Sequence, residues 1–156
     1  MNTPQRPSLA GAAPRPDGVQ IRLAANPAAD WLARIDEGLD AYNRAHAPLH
    51  QVQPLACVAQ DPAGELLGGA VARSWGECCE LQQLWVAEAW RRQGLGRLLV
   101  QAVEAEARLR GCRRVYLETF SFQAPALYLT LGYAVTHDLP GFGDGIHKLL
   151  MLRELT

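Results

Sequence analysis

A chain of 156 residues, 49% of them hydrophobic, holds enough apolar material for one ordinary globular core and leaves little room for a second domain. Its 15 Lys and Arg nearly balance 16 Asp and Glu, and a net charge of −1 excludes bulk attraction to nucleic acid or to an anionic membrane surface. No apolar run reaches the ~18 residues of a membrane span, and the N-terminus lacks the charged-then-apolar layout of a signal peptide, so a cytoplasmic protein is expected.

Residues 1–18 carry Pro4, Pro7, Pro14 and Pro16 among small and polar residues, which predicts a disordered tail ahead of a single domain over 19–156. Val19 to Leu23 alternates apolar and polar and reads as a first strand. Asn26 is placed to cap a helix with Pro27 in its first position, and Trp31, Ile35, Leu39 and Tyr42 give that helix one apolar face, ending near His46 and Pro48. After a loop over Ala47 to Pro54, the segments Leu55 to Gln60 and Glu65 to Arg73 read as strands joined by the turn Asp61-Pro62-Ala63-Gly64. Ser74-Trp75-Gly76 makes the next turn and Glu77 to Val86 the next strand, completing an antiparallel meander.

The meander runs into Val86-Ala87-Glu88-Ala89-Trp90-Arg91-Arg92-Gln93-Gly94-Leu95-Gly96-Arg97, a basic, glycine-spaced turn that opens a helix with Leu95, Leu98, Leu99, Ala102 and Val103 at helical spacing. Unpaired amides at a helix start, backed by the positive end of its dipole, form an anion site. Gly94 and Gly96 remove side chains that would hold a phosphate away, and Arg91, Arg92 and Arg97 add charged donors, which together describe a pyrophosphate cradle. The spacing is not a dinucleotide fingerprint, since Leu99 stands three residues past Gly96, and no Walker-type loop occurs. A strand-to-helix turn with solvated arginines would give the same residues.

Gly111 stops this helix and Val115 to Leu117 form a short strand. Pro125 opens a further helix that ends at Gly132, and Tyr133 to His137 pairs with His147 to Leu152 around the glycine-rich loop Asp138 to Gly145. Cys57, Cys78, Cys79 and Cys112 have neither C-x-x-C spacing nor paired histidines; no metal site is expected, and the thiols read as small buried hydrophobes. If Cys78 and Cys79 lie on a strand, they point to opposite faces.

The Arg91-x-x-Gly94-x-Gly96 turn after a strand, with Ala124-Pro125-Ala126-Leu127-Tyr128-Leu129-Thr130-Leu131-Gly132-Tyr133 downstream, resembles the GNAT superfamily of acyl-CoA-dependent N-acetyltransferases over about residues 19–155. Thr119 to Ala124 is similar to a bacterial subgroup of small acetyltransferases. The resemblance implies an α/β fold with a mixed, mostly antiparallel sheet of about six or seven strands, flanked by helices and containing one splayed parallel pair. It implies acetyl-CoA as co-substrate, its pyrophosphate on Arg91, Arg92, Gln93, Gly94, Leu95, Gly96 and Arg97, and Tyr128 facing the sulfur. It also implies that Leu84, Trp85 and Val86 of a bulged strand bind the cofactor, with a backbone donor for the thioester carbonyl around Leu84 or Trp85. Many members carry Asn seven residues before the tyrosine, where this chain has Ser121.

An amine of ordinary pKa near ~10.4 is free base in only roughly one molecule in 10³ at neutral pH, so a general base is useful. Glu80 lies 91 − 80 = 11 residues before the motif arginine, where histone-acetylating members place a glutamate base, and strand alternation would put Glu80, Gln82 and Leu84 on one face. An exposed strand carboxylate explains Glu80 equally well. Asn43 and His46 follow from the resemblance as acceptor-side contacts, and Asp138 and Asp144 suit a cationic amine; polar residues at a helix end and in a hairpin turn give the same patterns.

The function expected is direct, ternary-complex transfer of acetyl from acetyl-CoA to a primary amine on a small molecule or peptide, with no nucleic-acid or membrane partner. A cysteine acyl-enzyme is disfavoured because no thiol has a base beside it in sequence. A CoA-sensing or interaction module on the same fold would keep the cradle without needing Tyr128 or a base. A homodimer is left open, as dimers are common among the family the chain resembles.

Overall fold

The computed structural model describes residues 18–155, so the expectation of a disordered tail falls on residues of which 1–17 lie outside those described. The chain divides into two compact units, Met1–Ala41 and Tyr42–Thr156. In the first, residues 19–23 form no strand, contrary to expectation, because no other segment among the described residues hydrogen-bonds to them and an unpaired strand has no ladder to hold it. Helix α1 (Ala29–His46) begins two residues later than expected: its first turn is closed by the Leu32 amide on the Ala28 carbonyl, which removes Asn26 from the capping position. Asp30 near its start and Arg44 and His46 near its end complement the helix dipole.

The second unit is built on one six-stranded sheet in the order β1-β2-β3-β4-β6-β5. β1 (Gln53–Gln60), β2 (Leu66–Trp75) and β3 (Cys78–Val86) form the antiparallel meander. Helix α2 (Leu95–Leu109) then carries the chain to β4 (Arg114–Phe120), parallel to β3. Helix α3 (Pro125–Thr130) leads to the hairpin of β5 (Ala134–Leu139) and β6 (Lys148–Glu154), with β6 antiparallel to β4. The loop ahead of β1 holds a 3₁₀ turn at Leu49–Gln51 and ends at Val52, two residues earlier than expected.

Two features of β3 position the site. Its parallel ladder with β4 runs only from Cys78↔Arg114 to Leu81↔Leu117, although both strands continue, so the pair splays beyond Leu81. Against β2, the register steps from Ala72↔Leu81 to Val71↔Gln83, leaving Gln82 as the extra residue of a bulge. The bulge reverses the alternation: Cys79 and Leu81 are in the core, and so are the flanks of Leu84 and Val86. Glu80 and Leu84 therefore face opposite sides, which corrects the expectation that Glu80, Gln82 and Leu84 share one face. The strand is bulged, as the resemblance implies, with its extra residue at Gln82, just ahead of Leu84 and Trp85.

The core joins Leu99, Val100, Val103 and Ala107 of α2 to Leu81, Val115, Leu117 and Met151 of the sheet and to Tyr128, Leu131 and Tyr133. Each fully buried aliphatic side chain stabilises the fold by roughly 1.5–3 kcal/mol. The buried face of α2 is rotated from the expected one: Leu98 and Ala102 are exposed, while Glu104 is buried. The carboxylate is accommodated by both of its oxygens accepting from Arg153 Nη1 at 2.8 and 2.7 Å. Gly68 lets β2 approach its neighbours, since a Cβ there would stand 2.9 Å from the Trp85 carbonyl oxygen and 3.2 Å from Leu99 Cδ1. No helix among the described residues is long and apolar enough to cross a membrane.

Candidate functional site

The basic turn lies at the mouth of α2, as its sequence requires. Gly94 precedes the helix with φ 86°, a left-handed conformation in which a side chain would be strained, and the first intrahelical bond runs from the Leu98 amide to the Gly94 carbonyl at 3.1 Å. The amides of Leu95, Gly96 and Arg97 consequently have no helical acceptor and are available to an anion. Arg92 also has a positive φ of 60°, so the turn alternates left-handed residues in the manner of an anion-binding nest. A Cβ built on Gly94 meets nothing within 4 Å, so its open side is free for a ligand. Gly96 serves differently from expectation: its Cβ would point inward, 3.4 Å from Leu127 Cδ2 and 3.8 Å from Val86 Cγ2, so it lets α2 settle on α3 and β3.

The side chains of the turn hold its shape. Arg91 Nε donates to the Val86 carbonyl at 3.0 Å, Gln93 Nε2 to the Ala89 carbonyl at 2.8 Å, and Arg97 Nη2 to Thr130 Oγ1 at 2.8 Å, tying α2 to α3. Arg92 makes no hydrogen bond among the described residues. Open amides, a dipole and three guanidinium groups fit a pyrophosphate, and CoA would be held here by Leu95, Gly96 and Arg97 amides with Arg91 and Arg92 alongside.

Two cavities meet at Glu80. One, of about 350 Å³, follows the splay of β3 and β4 past Gln82, Thr119, Phe120, Gln123, Glu118 and Lys148. The other, of about 290 Å³, opens beneath Leu49 and Val52 and is lined by Arg73, Trp75, Cys78 and Tyr116. Glu80 lines both. Its Oε2 accepts from Arg73 Nε at 2.5 Å, and it stands opposite Arg73 on β2 and Tyr116 on β4. Burial, reinforced by the Glu80 carboxylate, pushes the Tyr116 phenol up. At the far end of the splay cavity, Gln123 Oε1 accepts from the Phe120 amide at 2.8 Å and from Thr119 Oγ1 at 3.0 Å, and Lys148 pairs with Glu118.

Tyr128 is 7% exposed on α3 and packs edge-on against Tyr133, with ring centroids 5.7 Å apart. Its hydroxyl has no hydrogen-bond partner among the described residues, and burial pushes the phenol up, which keeps it protonated at neutral pH. Leu84 and Val86 pack towards the core beside Gly96, whereas Trp85, half exposed, faces away.

Other predicted site residues are not brought to these cavities. Asn43 lines neither, and His46 is turned back on its own helix, with Nδ1 2.7 Å from the Tyr42 carbonyl and its ring stacked on Tyr42. Asp138 belongs to β5 rather than to the loop and pairs with His147 Nδ1 at 2.6 Å. Asp144 occupies a left-handed turn position at φ 35°. Ser121 Oγ accepts from the His147 amide at 3.1 Å and fastens the end of β4 to the start of β6. Arg73, Trp75, Tyr116, Glu118 and Lys148 also line the two cavities without any mark in the sequence, and Arg73 and Tyr116 reach Glu80 only through the strand register. Cys78 and Cys79 do face opposite sides, one into the smaller cavity and the other into the core.

The Acetyltransferase (GNAT) family model matches residues 23–133. Blasticidin-S acetyltransferase of Streptomyces morookaense is 36% identical over 112 residues, covering 69% of this chain and 82% of the relative. An acetyltransferase of Bacillus cereus superposes with a TM-score of 0.73 at 24% identity, covering 86% of this chain and 98% of that one. An aminoglycoside 6'-N-acetyltransferase complexed with coenzyme A shares the fold at a TM-score of 0.61 and 23% identity, covering 67% of this chain and 74% of that one. With its splayed parallel pair and this match, the chain belongs to the GNAT acetyltransferase family and is an acyltransferase with acetyl-CoA as co-substrate.

Proposed function

We propose that the chain acetylates the primary amine of a small molecule by direct attack within a ternary complex. The observation that carries this reading is the place of Glu80, at the junction of the cleft between the parting strands and the smaller cavity beside it. An amine seated in that cavity presents its proton to Glu80 Oε1, the carboxylate oxygen not engaged by Arg73. The thioester, with its pyrophosphate on the Leu95–Arg97 amides and Arg91, enters the splay, where main-chain N–H groups beyond Leu81 polarise its carbonyl. The amine nitrogen bonds to that carbonyl carbon, the carbon–sulfur bond breaks, and Tyr128 donates its hydroxyl proton to the departing sulfur.

Direct attack is favoured over a cysteine acyl-enzyme by the state of Cys57, Cys79 and Cys112. Burial raises Cys57 and Cys112 and pushes Cys79 up to about 11, so none of the three is poised as a thiolate. A small-molecule acceptor is supported by the similarity to Blasticidin-S acetyltransferase. Four free cysteines support a reducing, cytoplasmic setting. The test is a panel of amines of different classes assayed with acetyl-CoA for release of free thiol. Saturable release with a small amine supports the reading, and CoA binding without transfer to any amine would favour a CoA-sensing module instead.

A further inference from the structure

The smaller cavity has a chemistry of its own. Arg73, Glu80 and Tyr116 form one row across β2, β3 and β4, and Trp75 and Cys78 form the next row on the same face. Leu49 and Val52 close it from above, so the walls offer two aromatic rings and two aliphatic side chains around one pair of opposite charges. Its volume of about 290 Å³ lies at the lower edge of the roughly 300–1,000 Å³ typical of small-ligand sites, enough for one compact ring system and too little for a folded peptide or an oligosaccharide.

The charges are disposed for a zwitterion. Arg73 binds Glu80 through Nε alone, leaving both terminal nitrogens of its guanidinium without a partner among the described residues. That fork matches a carboxylate. Arg73 and Glu80 sit on adjacent strands, about 4.8 Å apart at the backbone, so a ligand meeting both must carry its cation and its anion close together. A single carbon bearing an ammonium and a carboxylate meets that requirement, and its side chain then extends over Tyr116 and towards Trp75 in the next row.

We infer that the acceptor is a free amino acid with a planar aromatic side chain, its carboxylate on the Arg73 fork, its amine at Glu80 and its ring against Trp75 and Tyr116. This rests on the acetyl-transfer reading above and narrows the amine that reading leaves general. The same geometry makes Arg73 and Trp75 specificity residues: one reads the carboxylate, the other the ring.

The experiment compares tryptophan and phenylalanine with tryptamine, phenethylamine and glycine as acceptors for the full chain, alongside a polyamine and an aminoglycoside. Tryptophan should exceed tryptamine in kcat/KM by at least about tenfold, the effect of one charge-assisted fork. Arg73→Gln should collapse that ratio towards one; the ratio is the readout because any disturbance of Glu80 affects both amines alike. Trp75→Ala should raise KM for phenylalanine about tenfold while the ratio of phenylalanine to phenethylamine stays fixed. Equal use of tryptophan and tryptamine, or an unchanged ratio in Arg73→Gln, would overturn the inference. Transfer to the polyamine or aminoglycoside but to no amino acid would overturn it and leave acetyl transfer standing, whereas CoA binding with no transfer to any amine would remove both.

Discussion

Arg73 Nε donates to Glu80 Oε2 at 2.5 Å, and the two residues are direct register partners on β2 and β3. With side chains 53% and 25% exposed, such a pair adds at most about 1 kcal/mol to stability, so its effect is mainly to fix where the carboxylate points. Two residues later the Gln82 bulge turns the strand over, and Leu84 and Val86 pack on the opposite side beside Gly96. One strand thus lines the two cavities with Glu80 in its first half and packs beside the start of α2 with Leu84 and Val86 in its second. The step between them coincides with the end of pairing to β4 at Leu81, where the two strands part.

Glu80→Gln keeps an acceptor for Arg73 and removes the basic oxygen. The expected loss in kcat/KM is about 10²–10⁴-fold near pH 7, shrinking as pH rises and the amine deprotonates unaided. A pH profile between about 6 and 9 checks it, and parallel curves for the variant and the wild type would assign the proton to water or to another group.

The two cradle glycines should respond differently. Gly94→Val places a β-branched residue at φ 86° and should abolish the thermal stabilisation that CoA gives by binding only the folded chain. Gly96→Ala adds a methyl group at ordinary contact distance, 3.4 Å from Leu127 Cδ2 and away from the ligand side, and should retain that stabilisation. A thermal shift titration separates them; wild-type CoA affinity in Gly94→Val would dismiss the cradle.

The order of strands and helices from β1 onward was legible because each is bounded by turn residues and carries its own period, as in Asp61-Pro62-Ala63-Gly64 between β1 and β2. The bulge was not, since nothing in Leu81-Gln82-Gln83-Leu84 says which residue is extra until β2 supplies the partner register. For the same reason Arg73 and Tyr116 were invisible as neighbours of Glu80, being brought beside it only by pairing across three strands. The rotation of α2 was hidden by Glu104, which reads as a solvent-facing residue until Arg153, 49 positions away, neutralises it.

That buried pair yields a stability prediction. Glu104→Gln should cost about 2–3 kcal/mol, below the ~3–5 of a fully buried pair because Arg153 is 27% exposed and can reach water. Chemical denaturation at neutral pH measures it, and a loss under about 0.5 kcal/mol, the range of ordinary surface changes, would mean that the pair is not buried in solution.

Tyr133 gives the pH dependence. Its hydroxyl is buried with no hydrogen-bond partner among the described residues, and burial, followed by the nearby Glu104 carboxylate, pushes the phenol far up. The folded chain therefore holds this proton more tightly than the unfolded chain, whose phenol ionises near ~10. Its contribution is intact below about pH 10 and declines above it by about 1.4 kcal/mol per pH unit until the folded group also ionises. Tyr133→Phe should leave stability at pH 7 unchanged or slightly higher and should flatten the alkaline decline by one proton's worth. An unaltered slope between pH 10 and 11 would show that Tyr133 does not govern it.

Tyr128 shares that burial but has a different neighbourhood: no carboxylate contributes to its raised phenol, and its hydroxyl has no partner among the described residues. A core aromatic and a proton donor are both compatible with its 7% exposure. The leaving thiol has an ordinary pKa near ~8.5 and the phenol one near ~10 before burial, so the phenol is still protonated when the carbon–sulfur bond breaks and can donate to the sulfur. Tyr128→Phe keeps the ring and its edge-on contact with Tyr133 while deleting the hydroxyl. CoA affinity should be nearly unchanged and kcat should fall at least about tenfold, the signature of a group used mainly in the transition state. Because burial raises the phenol further, the wild-type rate should not decline on its alkaline side until above pH 10, within whatever range the fold survives. Full kcat in the Phe variant under single-turnover conditions, where chemistry rather than product release is observed, would leave Tyr128 a packing residue and require another donor.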